Sequence, residues 1–423
     1  MKIVIAGAGI GGLVSALSLH AAGHRDIEIY ERVSQIRPLG VGINLLPHAV
    51  RELTELGLGE QVAAIGVATR ELSYFNRFGQ LIWSEPRGIA AGYRWPQISL
   101  HRGELQMLLL DAVIDRLGTD AVRLGHSLLG VEHGTDADTD TARFARDGGE
   151  ELAVEAGLIV GADGIHSALR RQHYPNEGEP IWNGLTLWRG TASAPGYLGG
   201  RTMIMAGDGQ QKFVAYPLSE GEQGAEARIN FIAERRAPEG AVATADWNRA
   251  VDPAPILELF ADWDFDWLDV PKLIAASEEI LEYPMVDRDP LPQWSFGHST
   301  LVGDAAHAMY PIGSNGASQA ILDARTLAHE LATRPSVAEA LSAYEEVRRP
   351  ATAGLIESNR KLGPERVMQM AFERAPEGFA HINDVLSQEE LEAVAAEYKR
   401  AAGFHPDLLN LRPSLSAPGA DVS

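Results

Sequence analysis

Cysteine is absent from all 423 residues. That excludes disulfides, thiolate-bound metals and iron–sulfur clusters. It also removes the side chain most easily oxidised, which suits a protein that handles oxygen. Positive charge is scarce: 36 basic against 58 acidic residues leave a formal net charge of -22. Nucleic acid and anionic membrane are therefore not expected partners, because phosphate binding needs a basic footprint. No apolar run approaches the ~20 residues that span a bilayer. The first apolar run, residues 3–6, begins so close to Met1 that no secretory leader is expected. No H-x-x-H string or carboxylate cluster suggests a metal site. A soluble cytoplasmic protein is the expected setting.

What the chain has is glycine at strand ends. Residues 3–6 (Ile-Val-Ile-Ala) read as a strand buried on both faces of a parallel sheet. Gly7-Ala8-Gly9-Ile10-Gly11-Gly12 follows, and Leu13, Val14, Leu17 and Ala21 recur at helical spacing. Gly7, Gly9 and Gly12 thus satisfy G-x-G-x-x-G after a strand and at a helix start. Gly7 permits the tight turn, Gly9 lets a pyrophosphate approach the backbone, and Gly12 lets helix and strand pack closely. Glu31 ends the next strand, where a carboxylate can accept ribose hydroxyls.

Two further strings share this grammar. Asp163-Gly164-Ile165-His166-Ser167-Ala168-Leu169-Arg170 follows a second buried strand over 157–162. Asp163 reads as a helix cap with a cofactor close by. Gly303-Asp304-Ala305-Ala306-His307 is the third, followed by Pro311-Ile312-Gly313-Ser314-Asn315-Gly316 and a helix. Asp304 can bind a polyol hydroxyl, and free N–H groups near Pro311, Gly313, Asn315 and Gly316 favour the negative charge of a reduced flavin ring. Arg102 opens a helix over 101–118 against the helix dipole, so an anionic partner is expected: a cofactor or a surface acid. His307, His48 and His101 read as structural histidines.

The expected fold is α/β: a Rossmann-like dinucleotide-binding domain interleaved with a mixed β-sheet domain, plus C-terminal helices. The first is assigned to 1–72, 98–180 and 286–350, the sheet domain to 73–97 and 181–285, and the C-terminal helices to 351–403. Residues 404–423, rich in Pro, Ser and Ala, read as a disordered tail. Gly134 to Asp138 reads as an exposed hairpin tip, and 253–276 as helical. The sheet segments 185–189, 203–205, 212–216 and 228–232 alternate with period two, which places one face on a cavity. Candidate cavity formers are Trp188, Arg189, Met203, Met205, Tyr216, Tyr310 and Pro311. Each has a second reading, as core or, for Arg189, as the partner of a surface acid.

Taken in this order, G-x-G-x-x-G, D-G-x-x-S-x-x-R and G-D-A-A-H resemble the single-component FAD-dependent aromatic hydroxylases, the p-hydroxybenzoate hydroxylase family, over about residues 1–350. Within it, the strings 37–44, 84–88, 101–107 and 283–292 look closest to the phenazine-carboxylate hydroxylase branch. The resemblance implies FAD as cofactor, NADH or NADPH as transient reductant, and a flavin C4a-hydroperoxide that hydroxylates a planar aromatic, with or without decarboxylation. By motif position it implies Gly7, Gly9, Gly12, Glu31, Arg32, Arg102, Asp304 and Gly316 as FAD contacts. Asp163 and Arg170 are linked to both FAD and NAD(P)H, and Gly42, Ile43 and Asn44 lie beside the flavin ring. No side chain is then needed as acid or base on oxygen, and the flavin carries the chemistry. The same scaffold also allows N-oxidation, epoxidation or dehydrogenation, and a flavin-binding redox sensor is the non-enzymatic alternative. Expected partners are a small aromatic and O₂, with the chain a monomer or homodimer.

Overall fold

The computed structural model describes residues 1–134, 138–221, 224–241, 249–401, 403 and 405–416. The expected hairpin tip over 134–138 and the end of the expected tail, 417–423, fall largely or wholly outside these residues.

Five sheets carry the chain. In the six-stranded one, Leu158–Gly161, Ile3–Ala6, Ile27–Glu31 and Val122–Leu124 lie side by side and parallel. Ser299–Leu301 adds in parallel on the other flank, and Ser295–Phe296 closes that edge antiparallel. The central strands are fully buried, as runs such as Ile-Val-Ile-Ala require when both faces are covered. Helices Ile10–Ala21, Arg102–Leu117 and Gly316–Thr333 cover one face, and the antiparallel sheet of His126–His133, Asp140–Arg146 and Glu151–Ala156 covers the other, with Phe144 stacked on Tyr30.

The second large sheet has eight strands, mostly antiparallel. Its order is Arg249–Ala250, Ser277–Asp287, Ile181–Pro195, Glu226–Arg236, Gln211–Pro217, Thr202–Gly207, Glu71–Phe75 and Leu81–Pro86. Side chains alternate across it. Phe213, Ala215, Phe231 and Ala233 point into one apolar cluster, and Val214, Tyr216 and Ile232 into another. The chain enters this sheet at Glu71, leaves it after Pro86 to insert Gln97–His101 between the earlier strands Gly42–Leu45 and Gly66–Thr69, and returns after residue 180.

Three expectations need correction. Residues 253–276 hold two short helices, Ala254–Leu259 and Val270–Ala275, separated by the hairpin Asp264–Phe265 with Leu268–Asp269. Trp263-Asp264-Phe265-Asp266-Trp267 alternates polar and aromatic residues, a strand pattern that outcompetes the helix reading. The expected boundary at 350/351 lies inside one helix, Val337–Arg360, which continues through Pro350. The tail is docked over 405–416: Pro406–Leu409 forms a helical turn with Leu409 buried, Arg412 pairs with the buried Glu52, and Ser416 Oγ accepts from Arg325 at 3.0 Å. Among the described residues, no helix is long and apolar enough to cross a membrane.

Candidate functional site

One cavity of about 330 Å³ lies where the six-stranded sheet, the eight-stranded sheet and the loop 309–316 meet. At one end are the glycine turn and two helix starts. Gly9 caps helix Ile10–Ala21 and Asn315 caps helix Gly316–Thr333, neither with a side-chain bond to the helix, so their first N–H groups face the cavity free of side-chain caps.

The glycines divide by role. A Cβ on Gly12 would overlap the Gly7 carbonyl, and one on Gly7 would overlap the Ala162 carbonyl, so these two are packing glycines. A Cβ on Gly9 or Gly316 would meet nothing within 4 Å. Both line the cavity, so the space above them is the ligand's. Gly313 faces away: its Cβ would overlap the Tyr398 hydroxyl, and it does not line the cavity. Pro311, Ser314 and Asn315 do, with the Asn315 side chain held from behind by Tyr398 at 2.8 Å. Ser314 takes a left-handed φ of 59° there, a conformation that glycine-based reading does not anticipate.

Arg102 and Asp304 line the same end and are exposed, and their side chains make no hydrogen bond or ion pair with the described residues. A cation and a carboxylate left open in this way suit a ligand carrying phosphate and hydroxyl groups. Glu31 ends its strand beside the glycine turn. It accepts from Ala8 N at 2.8 Å and Val33 N at 3.0 Å, which braces the turn and leaves lone pairs for a sugar hydroxyl. Arg32 is exposed next to it.

Two of the expected cofactor-linked residues stand elsewhere. Arg170 is buried, pairs with Glu177 and donates to the carbonyls of Ala306 and Asp289, each at 2.9 Å. It braces the Gly303-Asp304 turn from behind and has no face on the cavity. Asp163 caps the following turn through Ala168 N at 2.7 Å. It is also buried, and burial pushes its carboxyl up. Only its neighbours Ala162 and Gly164 reach the cavity. Local bonding to backbone has claimed Asp163, and distant carbonyls have claimed Arg170. His307 is likewise structural, held at 2.5 Å by the buried Asp323.

The far end of the cavity is the face of the eight-stranded sheet. Arg189, Met203, Met205, Val214, Tyr216, Ile232 and Glu234 line it, opposite Gly42, Ile43, Asn44, Pro311 and Ile312. Cross-strand pairing arranges these residues in rows. Tyr216 pairs with Asn230, then Val214 with Ile232 and Arg189, then Lys212 with Glu234. Four residues of strand separate first row from last, about 13 Å. Asn230 Oδ1 accepts from Gly42 N at 2.7 Å, and Arg189 donates to the Gly42 carbonyl at 2.8 Å. The sheet therefore holds the Gly42 strand directly. Burial pushes the Tyr216 hydroxyl up to about 12.

Trp188 and Tyr310 need correction as cavity formers. Trp188 points to the opposite sheet face and donates to Glu282 at 2.9 Å, since neighbours on a strand diverge and Arg189 takes the cavity side. Tyr310 lines a second, smaller cavity of about 250 Å³. Asn44 lines the cavity beside Gly42 and Ile43, but sequence reading passed over Asn230, Glu234 and Glu365, all of which stand at or beside the site. Polar residues on a half-buried strand read as solvated without knowledge of the partner sheet. The only available signal was that Asn230, Ile232 and Glu234 share one face by period two.

A family model described as an FAD binding domain matches residues 1–180 and 273–359. Phenazine 1,6-dicarboxylic acid hydroxylase from Lysobacter antibioticus is 49% identical over 363 residues, 85% of this chain and 89% of that protein. 3-Hydroxybenzoate 6-hydroxylase 1 from Aquipseudomonas alcaligenes is 32% identical, over 83% and 86% of the two chains. The crystal structure of Klebsiella pneumoniae HpxO with FAD and uric acid superposes with a TM-score of 0.75 at 24% identity, covering 95% of this chain and 97% of that one. The open glycines, the free Arg102 and Asp304 and the two helix starts fit FAD. The chain belongs to the FAD-binding-domain family of single-component, flavin-dependent aromatic monooxygenases.

Proposed function

We propose that this monooxygenase hydroxylates a planar aromatic acid of phenazine size, held against the eight-stranded sheet with its carboxylate on Arg189. The observation that carries the reading is Arg189 itself. Its Nε is buried without a hydrogen-bond partner at the edge of an otherwise largely apolar sheet face. A guanidinium so placed can take a carboxylate in a two-pronged bond. Met203, Met205, Val214, Ile232 and Ile312 offer flat apolar contact to a ring system. The identity to a phenazine dicarboxylate hydroxylase over most of both chains supports the same substrate class.

Bound FAD, reduced by NADH or NADPH, supplies the activated oxygen. The residues of the chain do the rest. The free N–H groups at Gly9 and Gly316, with Arg102 and Asp304, fix the cofactor's position. The apolar sheet face excludes water, which protects oxygen transfer from leaking as peroxide. We read the eight-stranded sheet, built from 71–86 and 181–287, as the substrate-side domain.

A panel of phenazine-1-carboxylate, phenazine-1,6-dicarboxylate, salicylate and 3-hydroxybenzoate tests this. Holoenzyme is assayed under ¹⁸O₂ for NAD(P)H oxidation, hydrogen peroxide and labelled product. One acid should accelerate NAD(P)H oxidation without proportionate peroxide and gain one labelled oxygen. Arg189→Met should raise KM for that acid by about 10-fold or more while flavin content stays intact. Acceleration without label would turn the reading toward dehydrogenation. Binding of none of these acids would overturn it.

A further inference from the structure

Six titratable side chains line the main cavity: Arg102, Asp304, Arg189, Tyr216, Glu234 and Glu365. Arg102 and Asp304 belong to the cofactor end. At the ring end an arginine cannot give up its proton near neutrality, and burial holds Tyr216 in its protonated form. Only Glu234 and Glu365 can take a proton there.

These two glutamates are joined. Lys212 Nζ lies 2.9 Å from Glu234 and also pairs with Glu365, and all three side chains are no more than 7% exposed. Two carboxylates share one ammonium inside the protein, a net negative charge that burial opposes. Burial and the Glu365 charge push the Glu234 carboxyl up, against the pull of Lys212 and Arg189. The two acids raise the Lys212 ammonium, although burial alone would lower it.

The triad also forms a partition. Glu234, Glu365 and Ile312 line both the main cavity and the second cavity of about 250 Å³, which Lys212 lines as well. The second cavity also carries Asp208, Gln211, Arg236 and Arg360 among apolar residues such as Leu185, Met285 and Met368, and the Arg360 side chain is 30% exposed. Beyond Glu365 stand Tyr74 and Tyr398, both held protonated by burial. Asp208 is the other carboxylate among the described residues of the second cavity, and it accepts from Gln210 N at 2.7 Å and Gln211 N at 3.3 Å.

We infer that Glu234, Lys212 and Glu365 form a proton exit from the aromatic site to the second cavity, with Glu234 as the base that meets the substrate. The inference rests on the reading of the main cavity as the aromatic site. Hydroxylation leaves the attacked carbon with both a hydrogen and the new oxygen. Rearomatisation breaks that C–H bond: the electron pair returns to the ring and Glu234 takes the proton. Lys212 accepts a proton from Glu234 as it donates one to Glu365, so the lysine stays cationic. Glu365 then releases its proton to water in the second cavity, and the triad is restored.

1-Hydroxyphenazine serves as the probe, because its phenol and phenolate differ in visible absorbance. It is mixed with holoenzyme, and the ionisation of the bound probe is followed after a pH jump by stopped flow. In the wild type, ionisation should be fast. Glu365→Gln should bind the probe within about threefold and slow its ionisation by about 10-fold or more, with Glu365→Asp restoring most of the rate. Gln369→Phe narrows the second cavity without altering any of the three residues, and should slow ionisation in the same sense even if Glu365→Gln misfolds. Equal rates and equal pH profiles in wild type, Glu365→Gln and Gln369→Phe would overturn the proton exit. Failure of the wild type to bind the probe would count against the aromatic site itself.

Discussion

Glycines with the same place in a motif do different physical work, and the difference can be measured. Gly12 has no room for a methyl group beside the Gly7 carbonyl, whereas Gly9 opens on the cavity. Gly12→Ala should lower apoprotein stability by about 1–3 kcal/mol through overpacking against backbone. Gly9→Ala should leave the apoprotein melting temperature unchanged and weaken FAD retention. Melting curves with and without FAD, together with a flavin fluorescence titration, separate the two. A similar split holds for the arginines. Arg102→Met should reduce FAD affinity about 10-fold or more at constant apoprotein stability. Arg170→Met should destabilise the fold, because it leaves Glu177 with Arg288 alone and takes the buried donor from the carbonyls of Ala305, Ala306 and Asp289. Sequence reading reached Arg102 and misplaced Arg170. An arginine that opens a helix in opposition to its dipole demands an anion, whereas an arginine near a helix end is equally suited to a ligand or to carbonyls. The pair Trp188 and Arg189 shows the same limit. Period two says that neighbours diverge, but which of them faces the cavity depends on the sheet opposite.

At the scale of elements, the parallel strands were legible because burial on both faces leaves an uninterrupted apolar run, as in residues 3–6 and 158–161. The aromatic stretch 263–267 was misread as helix because its period was overlooked in favour of its flanks. What binds elements to one another was not legible. Asp323, in the middle of helix Gly316–Thr333, accepts from Gly303 N at 2.9 Å and Arg348 Nε at 2.8 Å and meets His307. One buried carboxylate thus ties the Gly-Asp turn to two long helices. Burial alone would raise its pKa, but His307, Arg348 and the Gly303 amide outweigh that and hold it at about 2, below the usual 3.8. A depressed carboxylate stabilises the fold above its unfolded pKa, and that stabilisation is lost as pH falls toward the folded value. Asp323 should therefore contribute about 2 kcal/mol at neutral pH, declining from about pH 4 to about pH 2. Denaturant melts of wild type and Asp323→Asn across that range test the point. The wild type should lose stability more steeply, and parallel curves would refute the assignment.

On the scale of the whole molecule, the site belongs to no single stretch of chain. Its walls come from the glycine turn 9–11, the strand 42–44, Arg102, Ala162, Gly164, one face of the eight-stranded sheet, the Gly303-Asp304 turn with the loop and helix start that follow it, and Glu365. The motif-bearing segments were readable one by one, because each strand–glycine–helix turn is specified locally. Glu365 was not, since only the tertiary fold brings it to Lys212. The C-terminal segment escaped for the same reason. Its composition suggests fraying, yet Arg412 reaches the fully buried Glu52, Ser414 donates to Glu55 at 2.7 Å, and Arg51 donates to the Leu409 carbonyl at 3.1 Å. Glu52 is shared with Arg325 at 3.1 Å, and burial raises its carboxyl despite both arginines. Ending the chain after Gly403 would leave this carboxylate with one partner instead of two, and expose the surface under Leu409. A buried pair that loses a partner costs about 3–5 kcal/mol, and Arg325 tempers that here, so a loss of about 2–3 kcal/mol is expected. Among the described residues, none that lines the main cavity lies beyond 365, so FAD affinity at low temperature should remain that of the full chain. Thermal melts of the truncated and full-length holoproteins, paired with flavin titrations at 10 °C, distinguish the outcomes. A lower melting temperature with unchanged affinity is expected. An unchanged melting temperature would show that the docked segment contributes nothing to stability, and a collapse of affinity at 10 °C would show that helix Gly316–Thr333 depends on it for its place at the cofactor.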